Sequence, residues 1–200
     1  MSSPTPRVLS IQSHVVHGYV GNKSAVFPLQ LLGFDVSPLN SVQFSNHTGY
    51  ENGFKGDVVD GEGLRRLVSG MSSNGVLAHS HLLTGYIGSE SFLEAVVSVV
   101  SSLLDLTPTG FKYVCDPVLG DDGRLYVPAS LVSHYRSSVL PLAYMVTPNA
   151  FEAELLTGAK VGGEEEAKEA CRIMHGMGPR VVVITSLPKG EDDLMMVASD

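Results

Sequence analysis

Two hundred residues, 44% of them hydrophobic and 21 of them glycine, suit one globular α/β domain or most of a larger one, with enough chain to bury a core. A formal net charge of −8, with 13 Lys plus Arg scattered singly, argues against nucleic acid or an anionic membrane as main partner, so a polyphosphate ligand would need a metal ion or backbone donors. The two cysteines, Cys115 and Cys171, lack metal-ligand spacing, the opening MSSPTPR lacks the apolar core of a signal peptide, and no apolar run reaches about 18 residues, so core thiols and a cytosolic location are expected.

Arg7 to Gln12 predicts a buried strand that ends at Ser13, where a loop runs through His14 and Gly18 to Gly21. Asn22 to Leu32 predicts a helix whose apolar residues Val26, Phe27, Leu31 and Leu32 recur roughly at helical spacing, with Gly33 closing it and Pro28 expected to kink it. A second strand follows over Asp35 to Phe44, then the polar stretch Ser45-Asn46-His47-Thr48-Gly49. Gly63 to Met71 reads as helix, Val76 to Leu83 as a strand stopping at Thr84-Gly85-Tyr86, Ser91 to Leu106 as a long helix, and Phe111 to Cys115 as a buried strand.

Beyond Cys115 comes a loop with Asp116, Gly120, Asp121, Asp122 and Gly123. Pro128 to Leu140 predicts a helix and Ala143 to Val146 a short strand; Thr147-Pro148-Asn149 then starts a helix to about Leu156, ended by Thr157-Gly158. Glu164 to Met174 predicts a helix with three acids in its first turn, where the helix dipole favours them. Arg180 to Thr185 and Leu194 to Ala198 read as strands. This alternation predicts parallel βαβ units, connected right-handedly, with helices covering a central sheet. The chain stops at Ser199-Asp200 with no helix after its last strand, which reads as a single domain over 1–200, incomplete at its end.

Ligands of open α/β sheets bind at the carboxyl ends of the strands, so Asp116, placed there and extended by the proline after it, has a functional reading as a Mg²⁺ or phosphate-side carboxylate. Its bland reading, shared by Asp121 and Asp122, is that of a turn residue beside glycine. Asn149 with Glu152 three residues on fits a capping box; a helix N-terminus in the same crevice also attracts phosphate, with Glu152 in reach of a hydrated cation. Gly18 to Ser24 is not a Walker A motif, because Asn22 separates Gly21 from Lys23, but its glycines suit a loop folded close to a ligand beside Ser13. His79 and His81 would share a strand face, and ordinary packing is the better reading of them. His47 with Thr48, and Tyr86, are better placed to touch a small polar or ring-shaped ligand.

The stretches SIQSHVVHGYVGNKSA (10–25), NSVQFSNHTGY (40–50), LTGY (83–86), YVCDPVLGD (113–121), VTPNAFEAELLTG (146–158) and VVVITS (181–186) stand in one order and spacing. By them the chain resembles the pyridoxal kinase family of the ribokinase-like superfamily. The resemblance implies a three-layer α/β/α fold with a central, mostly parallel sheet, here without its C-terminal part. It implies ATP-dependent phosphorylation of the 5′-hydroxyl of pyridoxal, pyridoxine or pyridoxamine with Mg²⁺ or another divalent cation, K⁺ assisting, in a homodimer. Ser13, Val20, His47, Thr48 and Tyr86 would surround the vitamin. Asp116 and Glu152 would act around the metal and phosphates, Thr147, Asn149, Thr185 and Ser186 would line the ATP side, and Asp121 and Tyr126 would belong to a closing loop. The family's general base is an aspartate in a Gly-Thr-Gly-Asp segment; no such segment occurs in these residues, and Gly190-Glu191-Asp192 does not replace it. Two other readings remain open at this level: a hydroxymethylpyrimidine kinase, and a non-catalytic chain that binds vitamin B6 or pairs with longer subunits.

Overall fold

The computed structural model describes residues 5–107, 109–189 and 193–200, so the opening residues 1–4 and Gly190-Glu191-Asp192 lie outside the described part. The chain divides into two units, Met1–Ile87 with Ser91–Lys112, and Gly88–Glu90 with Tyr113–Asp200.

The first unit holds β1 (Arg7–Val15), α1 (Asn22–Leu31), β2 (Asp35–Phe44), β3 (Gly56–Val58), α2 (Gly61–Ser73), β4 (His81–Thr84) and α3 (Glu90–Leu106). Its strands lie in the order β3-β2-β1-β4; β1 is parallel to both β2 and β4, and β3 is antiparallel to β2. Five consecutive residues of β1, Val8 to Gln12, are buried, as expected of a strand covered on both faces. Two of them are polar and satisfied in a chain: Gln12 donates to the Ser10 hydroxyl (2.9 Å), and Ser10 donates to the Asn22 Oδ1 (2.8 Å). Asn22 in turn donates to the Leu39 carbonyl (3.0 Å) and to Asn40 (2.8 Å).

That polar chain corrects the expectation for α1. Asn22 is the helix's one buried residue, whereas Phe27 and Leu31 are exposed by 64% and 71% and Leu32, just past the helix, by 74%. Polar anchoring at the first turn, rather than an apolar stripe, seats this helix on the sheet. Pro28 sits on its exposed side and the helix continues to Leu31, so the proline does not end it.

Gly21, at φ 51°, lies where a side chain would meet the backbone and hydroxyl of Ser13. Gly21→Ala is therefore expected to destabilise the chain by about 1–3 kcal/mol in urea unfolding. A change within about 0.3 kcal/mol would contradict this packing.

The strand expected from Val76 begins only at His81. Arg7 explains the delay, for its guanidinium donates to the carbonyls of Val76 and Ala78, which stay outside the ladder. His79 is buried with Nδ1 at 2.6 Å from the Leu77 carbonyl and Nε2 at 3.0 Å from the Ser37 hydroxyl, and burial lowers its pKa. His81 packs edge-on against Phe34. Both histidines are packed side chains, and His79 precedes the strand instead of sharing its face.

The second unit holds β5 (Lys112–Cys115), β6 (Gly120–Asp121), β7 (Arg124–Leu125), α4 (Ser130–His134), β8 (Met145–Val146), α5 (Ala150–Thr157), α6 (Glu164–His175), β9 (Val181–Lys189) and β10 (Asp193–Ser199). Here β5, β8 and β9 run parallel in that order and β10 returns antiparallel on β9. The fold is thus α/β with mostly parallel strands, but regular alternation fails at β3, β7 and β10, each of which pairs antiparallel with the strand before it. Asp122 and Gly123 both take positive φ, 47° and 74°, the pairing that a tight two-residue hairpin turn requires. The helix expected over Pro128 to Leu140 changes pitch: α4 stops at His134, a π turn covers Tyr135–Val139, and a 3₁₀ turn covers Leu140–Leu142 around Pro141. In α6 the buried residues Ala167, Ala170, Cys171 and Met174 recur every three or four positions, as an amphipathic helix requires. Cys115 and Cys171 are both buried thiols.

Candidate functional site

In the second unit, residues from the ends of β5, β8 and β9 and from the start of α5 surround a cleft of about 260 Å³. Asp116 follows the last residue of β5, and Pro117 holds its backbone extended. Its half-buried carboxyl is raised to about 6, chiefly by burial, with a hydrogen bond from the Thr147 side chain opposing the shift. Thr147 itself follows β8, and its N–H donates to the Cys115 carbonyl at 3.0 Å, which fixes the two strand ends side by side.

Asn149 and Glu152 form the capping box that their spacing predicts. Asn149 Oδ1 accepts from the Glu152 N–H (2.8 Å), and Glu152 Oε2 accepts from the Asn149 N–H (2.8 Å). The same two side chains also hold the root of the β6–β7 hairpin. Glu152 Oε1 accepts from the N–H groups of Leu119 (2.9 Å) and Gly120 (3.5 Å), and Asn149 Nδ2 donates to the Gly120 carbonyl (2.8 Å). Glu152 is only 3% exposed. Burial, first, and the nearby Asp116 charge raise it to about 7 against the pull of those backbone donors. Two acids, one buried and one half-buried, whose pKa values are pushed toward neutrality and which line one cleft, are a signature of a functional site.

Asp121 and Tyr126 stand on the hairpin, both exposed; Asp121 caps the turn by accepting from the Asp122 N–H at 2.9 Å, and the Tyr126 N–H closes on the Leu119 carbonyl at 2.8 Å. Thr185 and Ser186 come from β9. Thr185 N–H donates to the Pro148 carbonyl (2.9 Å), and Thr185 with Ser186 opposes the single Met196 of β10, a bulge at which Ser186 takes the unusual φ of 58°. All eight residues assigned to the nucleotide side line this cleft, joined by Val118 and Gly120. Sequence reasoning missed Val118, which is an ordinary apolar residue without a signal. Glu154, on the same helix, is half-buried and accepts from the Val161 N–H at 2.8 Å.

The vitamin-side residues belong to the first unit. Val20 and Tyr86 pack on the buried cluster Val15, Val42 and Phe44. Ser13, near the end of β1, lies against Gly21, and burial raises the Tyr86 phenol. His47 and Thr48 are exposed in the turn after β2; His47 Nδ1 accepts from the Gly49 N–H at 3.2 Å and its ring packs on Tyr50 at 4.5 Å. His47 is thus held by local contacts, with Thr48 beside it.

Among the described residues, no helix is long and apolar enough to cross a membrane. The phosphomethylpyrimidine kinase family model matches residues 79–199. A pyridoxal kinase of Arabidopsis thaliana is 59% identical over 190 residues, covering 95% of this chain and 61% of that protein. One from Granulibacter bethesdensis is 42% identical over 200 residues and is covered to 69% of its length. The structure of a Leishmania donovani pyridoxal kinase in complex with ADP and pyridoxamine superimposes with a TM-score of 0.91 at 41% identity, over 96% of this chain and 69% of that one. The chain spans 61 to 64% of the Arabidopsis and cattle enzymes it matches. With conserved order of elements, sequence identity and family model in agreement, the chain belongs to the pyridoxal kinase family.

Proposed function

We propose that this chain carries the phosphate-side cleft of an ATP-dependent kinase acting on the 5′-hydroxyl of pyridoxal, pyridoxine or pyridoxamine. The observation that carries the reading is the gathering of eight residues from three stretches, 116–126, 147–152 and 185–186, around one cleft that holds a buried and a half-buried acid. Its donor set suits a hard cation with phosphate: a carboxylate destabilised by burial gains most from a positive charge brought beside it. Asp116 and Glu152 would hold Mg²⁺ or another divalent cation, which would supply charge neutralisation for the phosphates; K⁺ would assist nearby. Thr147, Asn149, Thr185 and Ser186 would orient phosphate oxygens, and the hairpin carrying Asp121 and Tyr126 would exclude water. Ser13, Val20, His47, Thr48 and Tyr86 would receive the pyridine ring. Catalysis would then come mainly from positioning and electrostatics. Cytosolic location, homodimerisation and one kinase domain over 1–200 belong to the same reading.

The test is product formation from pyridoxal and Mg-ATP by the 200-residue chain, with hydroxymethylpyrimidine as competing substrate. Pyridoxal phosphate as product supports the proposal, and preference for hydroxymethylpyrimidine would favour the reading that the matched family model suggests. Since the 200 residues contain no Gly-Thr-Gly-Asp, binding of pyridoxal without transfer would instead support a non-catalytic vitamin-binding role.

A further inference from the structure

Two buried polar side chains of the first unit join the strand ends at which vitamin-side residues lie. β1 stands between β2 and β4 in the sheet and pairs with β4 as far as Ile11 opposite Thr84. Its register with β2 slips after Gln12: Gln12 lies opposite Asn40 and Ser13 opposite Val42, which leaves Ser41 as an extra residue. A bulge of this kind re-aims a side chain, and bulges are over-represented beside active sites. Here the buried Ser41 hydroxyl donates to the Tyr86 carbonyl at 3.3 Å, so it links β2 to the turn beyond β4 although β1 lies between the two strands.

Gln12, also buried, holds the same turn from β1. The Gly85 N–H donates to the Ile11 carbonyl at 3.2 Å, and a side chain at Gly85 would come within 2.8 Å of Gln12 Oε1, so the amide lies directly against the glycine. The Nε2 of that amide donates to Ser10, at the head of the polar chain that reaches Asn22. Apolar residues would fill these positions without the cost of burying an amide and a hydroxyl, but apolar contact has no direction and a hydrogen bond has.

We propose that Gln12 and Ser41 are positioning residues of the substrate side: together they clamp the Gly85-Tyr86 turn and fix where the Tyr86 ring meets the pyridine ring of the vitamin. This rests on the reading of Tyr86 as a substrate contact given above. Packing on Val15, Val42 and Phe44 shields the Tyr86 ring but does not by itself fix its place, whereas the two tethers hold the backbone that carries it. A ring held in place before the substrate arrives loses less freedom on binding, so the tethers act on affinity.

The experiment measures pyridoxal affinity by calorimetry for the full chain, for Gln12→Met, Ser41→Ala and Tyr86→Leu, and for each of the first two changes combined with Tyr86→Leu. Methionine keeps the length of Gln12 and removes the amide, Ser41→Ala removes only the hydroxyl, and Tyr86→Leu keeps an apolar contact and removes the ring. Either tether variant is expected to bind pyridoxal about tenfold more weakly, with no further loss, within about twofold, when the same change is added to Tyr86→Leu. A residue acting only on the general fold would weaken binding alike in both backgrounds, and that outcome overturns the proposal. Unchanged affinity of either folded tether variant overturns it too; Ser41→Ala, the milder change, decides should Gln12→Met not fold. Wild type that binds pyridoxal no more tightly than Tyr86→Leu overturns the contact assigned to Tyr86 and the proposal with it. Wild type that binds no pyridoxal overturns the vitamin reading itself.

Discussion

Asp116→Asn is expected to make the chain more stable than wild type at pH 8, by about 2–3 kcal/mol, and to leave the two nearly equal at pH 4. The sign follows from burial. The folded chain raises Asp116 from 3.8 to about 6, so it holds this proton more tightly than the unfolded chain does. The group's contribution is fully present below the unfolded value, declines as pH rises through 6, and above that leaves a charge that opposes folding. Asparagine has no such charge and can still accept the bond from Thr147. Glu152, raised to about 7, acts in the same direction, and since the two acids interact their proton losses belong to the pair. His79 and His81, lowered by burial, favour the fold at higher pH, but they are common to both proteins and cancel in the difference. Urea unfolding of both proteins at pH 4 and pH 8 decides. A variant less stable than wild type at pH 8 would show that Asp116 is not a burdened carboxylate. A residue whose charge weakens the fold, placed in a cleft, is what a cation site would retain for function at the expense of stability.

Glu152→Ala is expected to remove about 2–4 kcal/mol when measured at pH 5, where little of the charge penalty on Glu152 has developed. The loss has a definite structure: the N–H groups of Leu119, Gly120 and Asn149 lose their acceptor together, and the helix loses half of its capping box. Amide exchange should therefore quicken at Leu119 and Gly120 more than at Val161, whose N–H bonds to Glu154 instead. Uniform acceleration across α5 would mean that the helix had frayed and that the hairpin root was not specifically held. Glu152→Gln should fall between, because one oxygen remains for Leu119 and Gly120 while its amide group meets the Asn149 donor.

Local rules account for what was legible. The limits of β2 from Asp35 to Phe44, the capping box at Asn149 and the left-handed Gly158 that ends α5 follow from periodicity and short-range hydrogen bonding, which the sequence carries within a few residues. The Asp122-Gly123 turn had its signal as well, a dipeptide that accepts two positive φ values, although its flanking strands of two residues are too short for alternation to show. The exposed face of α1 was not legible, for apolar spacing says that a stripe exists but not that a buried asparagine will seat the helix in its place.

By itself, then, the sequence determined the kind of elements, the acid after a buried strand and the cap that opens α5, because each depends on neighbours along the chain. Only the tertiary structure decided that Glu152 would be buried with three backbone donors, that burial would push Asp116 and Glu152 toward neutrality, and that the Tyr135 hydroxyl would be buried with no partner among the described residues. Desolvation and through-space charge are properties of what surrounds a side chain, and that surrounding comes from stretches dozens of residues away.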